Sequence, residues 1–436
     1  MSDPTGASAP RPEPGSAEAA ERLAGAGPAD LLTVARSDAV LSGDLAAPAL
    51  RTTHDMGAVC RVWTPDGSGF GEAALPWQGM ATVGAGRRLA QALARCRHPV
   101  RPAPPGERPG FAGGSVAGFE EEPCDPAAIR EAWAVVTGTL SGLLGDRLHR
   151  VVLGHRTLRR VYVDSLGAAA AERVELAWCT VSAKTGGLSL TRTWVGPSPA
   201  AMRRALDGRL PEPLSDLLAP EPVGEGCAVS PWATAQLLQV LAGQLTGGEG
   251  PLAASAGVPG FGAGPGDGRV SVLDHASWGF ADRLFDDEGV PARPAVLLAH
   301  GRPADGIVDL RGAARTGARP MGHAARPRWD DPVEAWPRCL EFADLAERRG
   351  SGTPLRLLEL RGRAVGHDTA SGSLRLTGLL AREDGAIRPV SMTTRVDAVL
   401  RGIARHPDSA PVTVPLPKGV ARAATLTVDP GEWNMT

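Results

Sequence analysis

The sequence predicts an α+β protein, with helices and strands mixed in its N-terminal half and a β-rich C-terminal half. Three observations carry that reading. Amphipathic helix patterns lie mostly in the first 250 residues, strand-like segments bounded by Gly and Pro turns fill Arg269 to Val428, and a Pro-rich link, RLPEPLSDLLAPEPVGEG, separates the two textures. With the boundary at that link, residues 1–28 form a disordered N-terminal segment, 29–222 an N-terminal α/β domain and 223–436 a β-rich C-terminal domain.

The elements follow in order. Residues 1–28 are rich in Ala, Pro, Gly, Ser and Glu, a composition for disorder interrupted at most by a short helix near Ala17–Leu23. GAVCRVWTPDGSGFGEAAL, from Gly57, reads as two strands around a Pro-Asp-Gly turn. ATVGAGRRLAQALARC is an amphipathic helix, residues 101–126 are a Pro/Gly-rich loop, and a second helix covers Pro126–Leu144. Three strand-like segments come next, HRVVLGHRT, RRVYVDSLG and a long one that folds back at Thr185-Gly186-Gly187, and around residues 200–222 lies a helix followed by the Pro-rich link.

In SPWATAQLLQVLAGQLTGG, Ser230 is a good N-cap and Pro231 fits the first helical position, where a missing N–H costs nothing. Leu238, Leu241 and Leu245 make its apolar stripe, with Gln239 and Gln244 on either side of Gly243. The glycine-rich GVPGFGAGPGDG precedes a strand, RVSVLDHA, and not a helix, which argues against nucleotide binding. One further helix is expected near Trp336–Arg348.

Composition excludes several classes. Of 436 residues, 43% are hydrophobic and 22% charged, the ordinary globular range, and the chain is long enough for a sizeable core. The net charge of −2 gives no steering towards nucleic acid or an anionic membrane. Six scattered cysteines with no CxxC pair read as reduced thiols in a cytosol. No apolar leader or run of 18 apolar residues is present, so a soluble cytoplasmic protein is expected. Nine histidines stand singly, without HxxxH, HExxH or HxH spacing, and neither a GxSxG elbow nor a P-loop occurs. The most suggestive polar cluster is Asp286-Asp287-Glu288 before Gly289. It reads either as a solvated acidic turn or as carboxylates on a groove that would bind an amine or a basic side chain.

FDDEGVPARPAVLLAHGRPADGIVDL resembles a segment of the TldD/TldE (PmbA) metallopeptidase family. RTGARPMGHAARPRW resembles the family's Gly-Asn-Ala-Arg-like element, here with Gly322, His323, Ala324 and Arg326. VGHDTASGSLRLTGLLAREDGAIRPVSMTTRVDAVLRGI resembles its later hairpin-to-helix run, and GAVCRVWTPDGSGFGEAAL its N-terminal opening. The likeness covers about residues 30–430, with four motifs in order.

The resemblance implies a layered N-terminal α/β domain and a barrel-like C-terminal domain. In the catalytic TldD-type subunit the helix corresponding to the Ser230 segment carries HExxxH, and a cysteine ligand lies near the C-terminus. Here Gln239 and Gln244 stand at the histidines and Val240 at the glutamate, and the region DSAPVTVPLPKGVARAATLTV has no cysteine. Histidines five apart point roughly 140° away from each other on an ideal helix, so both reach one metal only across a bulge. Gly243 stands where such a bulge would sit, and its distortion is expected to survive.

The resemblance therefore implies a TldE/PmbA-like subunit with no catalytic residue and no metal of its own. Its partner would be a TldD-like catalytic homologue carrying zinc, and its substrate a peptide or peptide-like amide. Asp286, Asp287, Glu288, His323 and Arg326 are the candidate substrate-groove residues. His323 in place of asparagine, and PLPKG in place of a Gly-Ser-rich stretch, imply a specialised substrate. Two alternatives stay open: a complex hydrolysing a small-molecule amide in an antibiotic or secondary-metabolite pathway, and a stand-alone homodimeric binding protein. The expected contact with a partner is apolar and formed largely by the C-terminal half.

Overall fold

The computed structural model describes residues 16–24, 28–65, 69–78, 80–94, 103–105, 124–185, 187–206, 210–218, 226–245, 270–275, 283–304, 306–350, 352, 354–361, 373–417, 419–428 and 433–435. The glycine-rich loop 257–268, Cys96 and nearly all of the 101–126 loop lie outside them.

The chain opens with helix α1 (Ser16–Ala24), in which Leu23 is fully buried. The short helix in the lead-in is therefore an ordered, docked element, because its apolar side packs on the same cluster as the helix after the first hairpin. Strands β1 (Ala29–Gly43), β2 (Pro48–Trp63) and β3 (Phe70–Pro76) lead to α2 (Met80–Ala94) and α3 (Pro126–Leu144). Asp125 caps α3 through the Ala127 N–H, with Pro126 as its first residue. Then come β4 (Leu148–Asp164), β5 (Ala169–Thr185), β6 (Leu188–Gly196) and α4 (Pro199–Ala205).

These six strands form one antiparallel sheet in the order β3-β2-β1-β4-β5-β6. Alternation along β1 divides its faces. Ala29, Leu31, Ala35, Ala39 and Leu41 point to the helices, α1 and α2 at one end and α3 and α4 at the other. Asp30, Leu32, Val34 and Asp38 face the C-terminal half. The two segments HRVVLGHRT and RRVYVDSLG are one strand, β4, because no Gly or Pro interrupts Thr157–Arg160 and β1 and β5 pair along its whole length.

The C-terminal half contains β7 (Cys227–Val229), α5 (Pro231–Leu245), β8 (Ser271–Asp274), β9 (Ala295–Ala299), β10 (Arg302–Pro303) and α6 (Leu310–Thr316). It continues with β11 (Ala324–Ala325), β12 (Glu334–Ala335), β13 (Cys339–Ala343), β14 (Leu355–Arg361), β15 (Ser373–Arg382) and β16 (Ile387–Arg395). It closes with α7 (Val396–Gly402), β17 (Ala404–Arg405), β18 (Val412–Pro415), β19 (Val420–Ala423), β20 (Leu426–Val428) and β21 (Asn434–Met435).

Two mixed sheets result, β10-β9-β8-β13-β19-β18 and β17-β20-β7-β14-β15-β16-β21. Helix α5 touches β13, β18 and β19 of the first and β14 of the second, and one core joins all of them. Among the described residues the sheets are open, and no closed barrel forms. The helix expected near Trp336–Arg348 is replaced by β13. Its CLEFA segment pairs with β8 on one side and β19 on the other, which buries Cys339, Leu340 and Phe342. Tertiary pairing outweighs the helical propensity of that stretch.

Candidate functional site

Helix α5 begins as the sequence requires. The Ser230 hydroxyl accepts from the Ala233 N–H and donates to the Leu358 carbonyl, tying the cap to β14. Gln236 accepts the Leu360 N–H at 2.7 Å. Leu237, Leu238, Leu241 and Ala242 are buried, and Val240 packs against the same core. Gln239 is half-buried, and the Gln244 side chain lies outside the described residues.

The helix is α-helical from Pro231 to Leu245, and the expected bulge at Gly243 is absent. Gly243 is exposed, with open space where a Cβ would stand, so nothing presses the backbone out of its regular i→i−4 ladder. A regular helix also lets the four buried positions share one core. The residues at the three motif positions do not fit a zinc ion. A carboxamide is a weak ligand beside imidazole, and valine supplies neither a ligand nor a general base. Beside the N-terminal part of α5, Thr234 lines a cavity of about 240 Å³ together with Glu341, Arg405 and Arg422.

The acidic run is neither a solvated turn nor an open groove wall: Asp286, Asp287 and Glu288 are all buried. The turn closes with Asp286 Oδ1 accepting the N–H groups of Glu288 (2.9 Å) and Val290 (2.8 Å), while Oδ2 accepts the Ala324 N–H at 3.1 Å. Gly289 has φ +72°, and a Cβ there would stand 2.1 Å from the Tyr162 ring, so only glycine fits.

Asp287 accepts the Arg326 N–H at 2.6 Å and pairs with Arg160, which also pairs with Glu172, its cross-strand neighbour. Glu288 Oε2 takes the Leu310 N–H at 2.6 Å, and its carbonyl accepts from Arg61 at 2.7 Å. Arg61 is already held by two 2.7 Å bonds to Asp30, which lies opposite it in the β1–β2 register. The run thus ties the 286–290 turn, α6, the β11 segment and the N-terminal sheet together.

His323 and Arg326 belong to the same assembly. His323 is fully buried, with Nε2 2.8 Å from the Arg293 carbonyl and Nδ1 2.8 Å from Asp274. A carbonyl only accepts, so Nε2–H donates. Asp274 also takes the N–H groups of Arg338 and Cys339. Arg326 reaches Glu72 on β3 at 2.7 Å and the Asp331 carbonyl. The five predicted residues therefore converge, but on one another and on buried partners.

Those partners, Arg61, Arg160, Asp30, Glu172 and Asp274, were not legible in the sequence. The Arg61–Glu288 contact alone spans 227 residues, and no local pattern marks these partners. Among the described residues no group of three or more His, Cys, Asp or Glu side chains is placed to hold a metal, and no helix is long and apolar enough to cross a membrane. The arrangement ties the N-terminal sheet to the C-terminal half through buried ion pairs and hydrogen bonds.

Together the sheets, the helix between them and the buried clasp define a mixed α+β fold of the PmbA/TldD type. Residues 229–404 match the PmbA/TldA metallopeptidase C-terminal domain, and the chain carries that domain of the TldD/TldE (PmbA) family on a TldE-type fold. Crystal structures agree in fold over nearly the whole chain. TldE from Thermococcus kodakarensis is 14% identical with a TM-score of 0.67, the match covering 94% of this chain and 97% of that one. A Thermotoga maritima protein described as "putative modulator of a DNA gyrase" is 14% identical (TM-score 0.64, covering 93% and 95%). A Bacteroides thetaiotaomicron protein described in similar words is 13% identical (TM-score 0.61, covering 95% and 97%). No curated protein sequence matches the chain.

Proposed function

We propose that this chain is the non-catalytic, TldE-like subunit of a heterodimeric, cytoplasmic TldD/TldE-type zinc metallopeptidase. A TldD-like partner would hold the zinc, and this subunit would shape the chamber that admits peptides or peptide-like amides. The observation that carries the reading is helix α5. It is regular through Gly243, Val240 packs into the core where a general base would stand, and Gln239 takes the place of an imidazole. The C-terminal domain match and the fold support a metallopeptidase-like family, while the donor set at the motif helix is unsuited to zinc.

The test is co-expression with the TldD-like homologue of the same genome. A one-to-one complex is expected, with about one zinc per heterodimer and amide hydrolysis that needs both chains. The isolated chain should hold no stoichiometric zinc. A monomer indifferent to an active TldD-like homologue, or one zinc retained per isolated chain, would overturn the reading.

A further inference from the structure

A second cavity lies between the two halves, away from the α5 motif positions. Its volume is about 400 Å³, within the range of small-ligand sites. One wall is the sheet face that alternation turns towards the C-terminal half, including Leu176 and Trp178 on β5. Trp178 lies flat across β4, with Gly154 beneath it, where a Cβ would stand 2.0 Å from the ring. The opposite wall is Trp336 and the β18–β19 turn around Leu416, the PLPKG stretch noted in the sequence.

Into this apolar space face three arginines, Arg156, Arg283 and Arg338. Arg156 is satisfied by Asp38 at 2.6 Å, and Arg283 stands 3.8 Å from Asp287. Arg338 differs. It is 8% exposed, its Nη2 makes one long bond (3.3 Å) to the Phe285 carbonyl, and its buried Nη1 has no partner. Among the described residues no carboxylate lies within ion-pair distance of its guanidinium. The nearby acids are engaged elsewhere: Asp286, which acts on Arg338 through space, accepts three backbone N–H groups, Glu172 and Asp287 pair with Arg160, and Asp274 is held by backbone N–H groups and His323. Burial, with Arg283 and Arg160 close by, pulls Arg338 down to about 10. A buried cation with an idle donor and no carboxylate bonded to it stands beside an apolar cavity flanked by two indoles.

We propose that this cavity binds a carboxylate carried on a bulky apolar body, either a small aromatic acid or a peptide's C-terminal end with an apolar last residue. Arg338 takes the carboxylate, and Trp178 and Trp336 take the body. The proposal concerns this chain alone and does not depend on a zinc-bearing partner.

Calorimetric titration of the full chain tests it with four probes: 3-phenylpropionate, its neutral isostere 3-phenylpropanamide, and Ala-Ala-Phe with a free or an amidated C-terminus. Each acid should bind at least about tenfold more tightly than its amide, the loss typical of an unpaired charged contact. Arg338→Gln should erase that preference. Trp336→Ala, which leaves the arginine in place, should weaken acid and amide alike and keeps the test decisive should the arginine variant fold poorly. A free tripeptide binding more tightly than phenylpropionate identifies a peptide end as the ligand; the reverse order identifies a small acid. Equal binding of acid and amide, no binding of any probe, or binding untouched by both substitutions would overturn the proposal.

Discussion

At Asp287, burial alone would raise the carboxyl, but Arg160, Arg283 and the Arg326 N–H outweigh it and hold the group below the usual carboxylate range. At the next residue the balance reverses. Burial, reinforced by Asp286 and Asp309, pushes Glu288 up to about 8 and outweighs the opposing pull of Arg61, 3.7 Å away and also bound to Asp30. The two carboxyls therefore act on stability with opposite signs. Asp287 stabilises the fold above its ordinary pKa, and that contribution is lost as pH falls. Glu288 takes up a proton on folding, so its contribution is full below about 4.5 and is lost as pH rises through about 8. Asp287→Asn should cost about 3–5 kcal/mol at pH 7 by leaving Arg160 under-compensated. Glu288→Gln should be tolerated at pH 7 and should gain on wild type by about 2–5 kcal/mol between pH 5 and 9. Urea unfolding at pH 5, 7 and 9 reads both, and parallel pH profiles for wild type and Glu288→Gln would contradict the assignment.

Among the elements, α5 carries the inference about catalysis and also the clearest backbone test. Gly243 has no steric reason to be glycine, and the helix around it is regular. Gly243→Ala should therefore stabilise the protein by about 0.4–1 kcal/mol, seen as a raised midpoint in thermal unfolding. A lower midpoint would mean that the backbone there is strained or bulged. Strand β1 makes the complementary point. Asp30, Arg36 and Asp38 give it the look of a polar loop, yet it is the inner strand between β2 and β4. Its charges are tolerated because Arg61 and Arg156 lie directly across from Asp30 and Asp38 in the ladder.

For the whole molecule, the core of the N-terminal half includes Leu358, Leu379, Ala381 and Ile387 from the C-terminal sheet. Beside it the fully buried Arg192 bonds to Asp216, to Glu359 at 3.2 Å and to the Leu358 carbonyl at 3.0 Å. With the Asp287 and Glu288 clasp, the halves share both apolar and ionic contacts. Thermal unfolding should show one cooperative transition, and residues 223–436 expressed alone should not fold. Two separate calorimetric transitions would refute this. The large exposed apolar side chains among the described residues are Leu89, Leu93, Val135, Leu143, Leu166, Leu218 and Leu284. All but Leu284 lie before residue 223, so among the described residues the large exposed apolar side chains belong mainly to the N-terminal half.

Local rules were enough wherever the controlling contacts lie within a few residues. They fixed the limits of α3 through Asp125 and Pro126, the start of α5 through Ser230 and Pro231, the β2–β3 hairpin and the return at Gly187. The motifs carried the likeness to the PmbA/TldD proteins, which the match of residues 229–404 to the C-terminal domain supports, and the residues at 239, 240 and 244 are legible as Gln, Val and Gln. The sequence could not tell that β1 is an inner strand, that Cys339–Ala343 is extended, or that α5 runs straight through Gly243. Nor could it tell that Asp286, Asp287 and Glu288 face inwards. Those outcomes depend on partners brought in from far along the chain: Arg160 and Arg61 for the acidic run, β8 and β19 for β13, and Trp178 with Arg338 at the cavity. A charge or an apolar side chain declares only what it needs. Which distant residue meets that need, and so whether it is exposed, paired or left waiting for a ligand, is decided by packing.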